Sequence, residues 1–318
     1  MNPSKCYALL FINYNAADLT LAAVRSAQRV AASSDALRIL IIDNGSTDGS
    51  VDILRSELAK VEILPLPENQ GFAKAVNTAL RQVREPYAFI LNNDIEFRND
   101  AISLLAEALE NDPAAVLACP KLLRPDGSTQ TSAIPEPKLF WELTNRSLPR
   151  HWLRPRLSGR DPTVVPGVVG SCMAVHMERL PQVSSLDERF FFFFEETDWC
   201  KRITDAGLHV LYVPAAEVVH LQGETANRRP NRARVQFYIS RYKYFHKHHG
   251  AATVGLLFVC LWLRLTVELL FQALLVALTL GRLRFRNRLA VYAVLWYWHL
   301  LGCRPKWGFE SQERRQGG

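Results

Sequence analysis

Three carboxylates, Glu195, Glu196 and Asp198, stand within four residues, directly behind five consecutive phenylalanines, Phe190 to Phe194. An apolar wall beside a carboxylate disfavours its charged form and raises its pKa, which suits a general base. The competing reading is a solvated helix N-terminus, where acids complement the dipole. The phenylalanine run argues against that, because such rings belong in a core. A second group, Asn92-Asn93-Asp94, closes the apolar run Tyr87–Leu91 and offers hard oxygen donors of the kind Mg²⁺ and Mn²⁺ take, usually shared with substrate phosphates. Asp94 is its natural metal ligand, but one carboxylate needs help from elsewhere. His220, ending another apolar run, is a candidate second ligand, although a lone histidine is more often structural.

Two further segments have binding character. Asp43-Asn44-Gly45-Ser46-Thr47-Asp48-Gly49-Ser50 follows a strand-like run. Asp43 can accept from the N–H of a nucleobase, or the segment is a turn followed by a helix cap. In Asn69 to Asn77, Gly71 lets backbone approach a ligand closely, and a helix starting there suits a phosphate. Asn77 is an amide on that helix within reach of a nucleoside; an ordinary capped helix is the alternative.

The elements that must position these residues are legible as an alternation. Strand-type runs occur at Tyr7–Asn13, Arg38–Asp43, Val61–Leu66, Tyr87–Asn92 and Val116–Pro120. Between them, Val51, Leu54 and Leu58 recur at helical spacing, as do Phe72, Val76, Leu80 and Val83, and then Ile102, Leu105 and Leu109 behind the cap candidate Asn99. Such alternation predicts an α/β fold with a doubly wound, mostly parallel sheet, and ligands at the carboxyl ends of its strands. Residues 121–165 show no period and many prolines and arginines, the mark of a functional or mobile loop. A strand over Val168–Val175, a helix over Glu195–Ala206 closed by Gly207, and strands over Leu208–Val213 and Glu217–His220 complete the expectation.

The chain has 318 residues, 48% hydrophobic, with a formal net charge of +7. That apolar fraction excludes a disordered chain. The positive balance favours anionic partners without choosing among nucleic acid, a membrane face and phosphorylated substrates. Six cysteines without a C-x-x-C pair disfavour structural zinc and fit a reduced compartment. The short run Tyr7–Ile12 reads as a first strand rather than a signal segment. No P-loop, Gly-x-Gly-x-x-Gly or nucleophile elbow competes.

Taken in order, Asn13-Tyr14-Asn15, Asp43-Asn44-Gly45-Ser46, Asn69 to Asn77, Asn92-Asn93-Asp94, Gly170-Ser171, Glu195 to Arg202 and His220 resemble glycosyltransferase family 2, within it the bacterial rhamnosyltransferase-like branch. The resemblance covers roughly residues 7–225. It implies a GT-A fold, a nucleotide-diphospho-sugar donor, Mg²⁺ or Mn²⁺ on the pyrophosphate, and inversion by single displacement. By motif, Asp43 would hold the base, and Asn13, Asn69, Gly71, Asn77, Asn92 and Asn93 would line the nucleotide-sugar site. Asp94 and His220 would bind metal, and Glu196 would be the base, with Glu195 and Asp198 as alternatives. Two departures stand out: Asn92 replaces the first Asp of the usual Asp-x-Asp triplet, and Glu196 stands where Asp is commoner. The branch implies rhamnose from a dTDP donor, with galactofuranose or another hexose from a UDP donor as the alternative. It also implies a lipid-linked glycan acceptor of cell-surface polysaccharide synthesis. The non-enzymatic alternative is an inactive membrane-surface binding module.

The division expected is a catalytic domain over 1–227, with nucleotide-sugar binding in 1–120 and the acceptor and base part in 121–227, and a helical tail over 228–318. In the tail, Arg228, Arg229, Arg232, Arg234, Arg241, Lys243 and Lys247 interleave with aromatics before two apolar blocks, Val254–Leu280 and Leu289–Leu301. The apolar blocks favour a membrane surface over nucleic acid. Val254–Leu280 is long enough to span hydrocarbon, but it holds Arg264 and Glu268, and basic clusters flank both blocks. The expectation is therefore peripheral or re-entrant association with the cytoplasmic face of the inner membrane.

Overall fold

The computed structural model describes residues 6–30, 37–143, 159–221 and 230–309. These form two compact units. The first takes residues up to Glu136, then Pro149–Phe191 and Glu195–Glu224; the second takes Pro137–Leu148, Phe192–Phe194 and everything from Thr225.

The first unit is an α/β domain on one nine-stranded sheet. Its strands are β1 (Tyr7–Asn13), β2 (Leu37–Asp43), β3 (Glu62–Pro65), β4 (Tyr87–Asn92), β5 (Ile95–Phe97), β6 (Ala115–Leu123), β7 (Thr163–Val164), β8 (Cys172–His176) and β9 (His209–His220). The order is β3-β2-β1-β4-β8-β6-β9-β5, with β7 also on β9. The pairs among β1 to β4 are parallel, as is β6 with β9; β8, β5 and β7 pair antiparallel. Helices α1 (Ala17–Val30), α2 (Ser50–Glu57), α3 (Phe72–Leu80), α4 (Ala101–Asn111) and α6 (Glu195–Asp205) cover both faces. Alternation along β1 shows why. Tyr7, Leu9 and Phe11 join the core under α1, α2 and α4, whereas Ala8, Leu10 and Ile12 join the core under α3 and α6. A strand buried on both sides reads as a continuous apolar run, which is what Tyr7–Ile12 is.

The structure corrects several boundaries. Helix α4 is capped by Asp100, whose side chain accepts from the Ser103 N–H; Asn99 instead ties β9 through Ala215 O and Glu217 N. β8 begins at Cys172 rather than Val168, which makes an isolated bridge to Ala133. The two expected final strands are one, with a bulge between Val213 and Glu217. Residues 121–134, expected as loop, are pinned to the sheet: Gln130 N–H donates to Leu122 O, and Leu122 N–H to the Ser132 hydroxyl. None of the six cysteines is in a disulfide, and burial pushes the thiols of Cys119, Cys172 and Cys200 up, which leaves them inert.

The second unit contains α5 (Leu139–Leu143), α7 (Pro230–Leu278) and α8 (Leu283–Leu300). α7 breaks at Gly250, whose φ of 81° and ψ of 173° no helix accommodates. Val235, Ile239, Leu265, Leu295 and Trp298 form this unit's core. Arg241, grouped in sequence with the tail's other cations, is buried: it stacks on Phe237 and Tyr238 and lies 3.6 Å from Glu142. The opposite face of α7 carries Leu256, Val259, Leu263, Val267, Leu270, Leu274 and Leu278, exposed at steps of three or four residues. By length and composition α7 can cross a membrane.

Candidate active site

Register aligns the polar strand ends. Asn13 pairs with Asp43 across β1 and β2, and Ile12 with Asn92 across β1 and β4, so Asn13, Asp43 and Asn92 meet at one carboxyl edge. Asn13 is fully buried; its amide donates to Asp43 Oδ2 at 2.7 Å and its carbonyl accepts from Thr20. Asp43 also accepts from the Ser46 N–H and hydroxyl, at 2.9 and 2.6 Å. Three donors hold this buried carboxylate in one orientation, as burial of a charge requires. Asn13 thus fixes the orientation of Asp43.

The second loop is locked onto the first. Asn44 donates to Asn69 Oδ1 and accepts from the Gln70 N–H, and Asn69 Oδ1 also accepts from the Gly71 N–H. Gly71, at φ 85° and ψ 165°, starts α3. What approaches it is the chain's own backbone. A Cβ there would lie 2.5 Å from Phe191 O, which accepts from the Phe72 N–H at 2.8 Å. Asn77, expected near the nucleoside, has its amide donating to Leu186 O and Glu188 and its carbonyl accepting from the Leu186 N–H. It holds the 186–188 loop. Asn92 ends β4, its N–H bound to Ser171 O, and Asn93 follows it half-buried.

Asp94 and His220 come together. β5 runs antiparallel to β9 with Ile95 opposite His220, and the Leu221 N–H donates to Asp94 O. Both side chains are buried, and His220 Nε2 lies 3.4 Å from Asp94 Oδ1. That oxygen has no hydrogen-bond partner. Gln130 Oε1 sits 3.0 Å from His220 Nδ1 on the far side of the ring. A carboxylate oxygen buried without a donor beside an imidazole nitrogen fits a divalent cation with oxygen and nitrogen ligands. Among the described residues there is no group of three or more His, Cys, Asp or Glu, so the remaining positions would fall to water or substrate oxygens. Gln130 escaped the sequence reading because it lies in a stretch without period, and its sequence neighbours give no sign of its fold-level place.

At the head of α6 the three acids differ. Glu195 is buried with Oε2 unpartnered, and burial, with the neighbouring Glu196 adding to it, holds its carboxyl well above the carboxylate range. Glu196 is half-buried, and desolvation pushes it up to about 7, against opposing hydrogen bonds from its own and the Thr197 backbone. Burial outweighs the helix dipole, whose effect is about 0.3–1 kcal/mol. Gly170 faces Glu196: a Cβ there would sit 3.4 Å from its side chain. Asp198 is fully buried and ion-paired with Arg202 at 3.0 Å, and Arg202 in turn binds Val183 O and Ser185 O. Through Arg202 its carboxylate secures the 183–185 loop. Of the five phenylalanines, Phe190, Phe191 and Phe194 are buried and the middle two only partly so.

Residues 9–179, more than half of the chain, match the Glycosyl transferase family 2 model. The chain belongs to glycosyltransferase family 2. Over 231 residues it is 29% identical to an N-acetylglucosaminyl-diphospho-decaprenol L-rhamnosyltransferase of Mycobacterium tuberculosis, covering 67% of this chain and 75% of the relative. It is 26% identical to the dTDP-rhamnosyl transferase RfbF of Shigella flexneri over 58% of this chain and 60% of that protein. Among solved structures it is similar to mannosyltransferase PcManGT of Pyrobaculum calidifontis in complex with GDP-Man and Mn²⁺, with a TM-score of 0.55, 14% identity, and coverage of 98% of this chain and 89% of that one. A GalNAc-T7 structure with UDP, GalNAc and Mn²⁺ also aligns at a TM-score of 0.55 and 16% identity, over 77% of this chain and 52% of that one. At these identities the structures bear on the fold, which is GT-A. The family 2 match ends at residue 179, before the α6 acids and His220, whose places rest on the geometry above.

Proposed function

We propose that this family 2 enzyme transfers rhamnose from dTDP-rhamnose to a lipid-linked glycan during cell-surface polysaccharide synthesis, with inversion at the anomeric carbon. The observation that carries the reading is the unpartnered Asp94 Oδ1 facing His220 at the carboxyl edge of the sheet, beside Asp43 and Asn92. The relatives' names support rhamnose and a diphospho-polyprenol-linked acceptor.

In this scheme Asp43 orients the nucleobase end of the donor, held in place by Asn13 and Ser46. Asp94 and His220 hold Mg²⁺ or Mn²⁺, which when bound neutralises charge on the departing diphosphate. Glu196 takes the proton of the acceptor hydroxyl as that oxygen bonds to the anomeric carbon and the bond to the diphosphate breaks. A carboxylate near 7 is matched to that task at neutral pH. A lipid-linked acceptor lies at a membrane, and the exposed apolar face of α7 supports association with one.

The test is a panel of nucleotide sugars with Mn²⁺ and a diphospho-polyprenol-linked N-acetylglucosamine acceptor, scored by nucleotide release. Release of dTDP from dTDP-rhamnose, and not UDP from UDP-hexoses, supports the reading. Preference for a UDP-sugar overturns the donor assignment.

A further inference from the structure

We infer that Gln130 is a positioning residue: it holds the His220 imidazole in the tautomer that can ligate a divalent cation together with Asp94. The inference rests on the metal reading proposed above and adds a residue to it.

Gln130 Oε1 lies 3.0 Å from His220 Nδ1, and both residues are buried. A carbonyl oxygen only accepts, so the proton of a neutral imidazole sits on Nδ1. Nε2 then carries a lone pair, and it points toward Asp94 Oδ1 at 3.4 Å, an oxygen that itself has no donor. Two electron-pair-bearing atoms facing each other in a buried site repel unless a cation lies between them. Without Gln130 the proton is free to move to Nε2 and bond to Asp94, closing the site against metal. The alternative tautomer would give Asp94 Oδ1 a donor but would set a bare Nδ1 against Gln130 Oε1, so the orientation of this amide decides what the site can hold.

The support for Gln130 is rigid. Its backbone N–H donates to Leu122 O at 2.7 Å. The adjacent Thr129 bridges Leu123, and Leu122 is in register with Val218 on β9, two residues before His220. Gln130 thus reaches His220 from a segment tied back to β6, the strand that pairs with β9. Fixing a ligand histidine by an acceptor on its other nitrogen is worth about 10–100-fold in metal affinity where it has been measured.

The test is Mn²⁺ titration of the full-length protein with dTDP present, reading free Mn²⁺ by electron paramagnetic resonance. Gln130→Leu should weaken Mn²⁺ binding about 10- to 100-fold with an unchanged circular dichroism spectrum. Gln130→Glu, which still accepts from Nδ1, should restore affinity to within about threefold. Wild-type affinity in Gln130→Leu, or equal loss in both variants, overturns the inference. A ¹⁵N spectrum of the metal-free wild-type protein, with the His220 signals assigned by their loss in His220→Ala, keeps the test independent of how the variants fold. A protonated Nδ1 and bare Nε2 are expected, and the reverse overturns it. His220→Ala also separates the two claims. If it leaves Mn²⁺ binding intact, the metal reading falls and this inference with it. If it abolishes binding while Gln130→Leu does not, only the role of Gln130 falls.

Discussion

At the residue scale the proposed chemistry rests on Glu196 and Asp94, and each answers to a different measurement. Glu196→Gln should lower kcat about 10²-fold or more, the scale for losing a general base, with donor affinity little changed because the base acts on the acceptor. If Glu195→Gln is the crippling change instead, the base is the deeper of the two acids. Because burial raises Glu196 to about 7, kcat should rise with pH through that value and level off above it. The stability linkage has the opposite sign. A carboxyl raised from 4.5 to about 7 stabilises the fold below 4.5, and that contribution is lost as pH climbs through 7. Glu196→Gln should therefore gain in thermal midpoint relative to wild type between pH 5 and 8, which a pH series of melts would register. Asp94→Ala should abolish transfer and weaken donor binding in Mn²⁺ while leaving the melt unchanged or improved, since it removes an unpartnered buried oxygen. Near wild-type turnover would refute the metal assignment.

Among elements, the start of α3 is the most constrained. Gly71 has a backbone conformation open almost solely to glycine, and any Cβ would strike Phe191 O. Gly71→Ala should cost more than the roughly 1–3 kcal/mol of backbone strain, read by urea unfolding, and should detach the 191 loop from α3. A loss under about 0.5 kcal/mol would contradict the contact. The strands and helices around this site were legible because a doubly buried parallel sheet leaves continuous apolar runs, and because Asp43, Asn92 and His220 stand at their ends. α1 was not, since its buried face is Ala17, Thr20, Ala23 and Ala27 as much as Leu21 and Val24, too small and polar to stand out. The partners of the site residues were equally hidden. Asp198 with Arg202 can be guessed from helical spacing, but Gln130 with His220, ninety positions apart, depends on how β6 and β9 pair. Asn69 and Asn77 read as ligand-binding amides, and their ties to Asn44 and Leu186 were not legible.

At the scale of the whole molecule, the second unit adds a long apolar helix to the glycosyltransferase chain. Its apolar stripe from Leu256 to Leu278 is long, continuous and exposed, which a soluble surface rarely tolerates. Full-length protein should sediment with membranes and be released by detergent. Replacing Leu263, Val267, Leu270 and Leu274 by serine should leave it in the supernatant, and sedimentation of that variant would refute the role of this face. The measurement that bears most directly on the central claim is transfer from dTDP-rhamnose to the diphospho-polyprenol-linked acceptor, followed by NMR of the new linkage, with and without chelator. The account predicts a product of inverted anomeric configuration, formed with Mn²⁺ and lost on chelation. A retained configuration, or undiminished transfer in chelator, would contradict it.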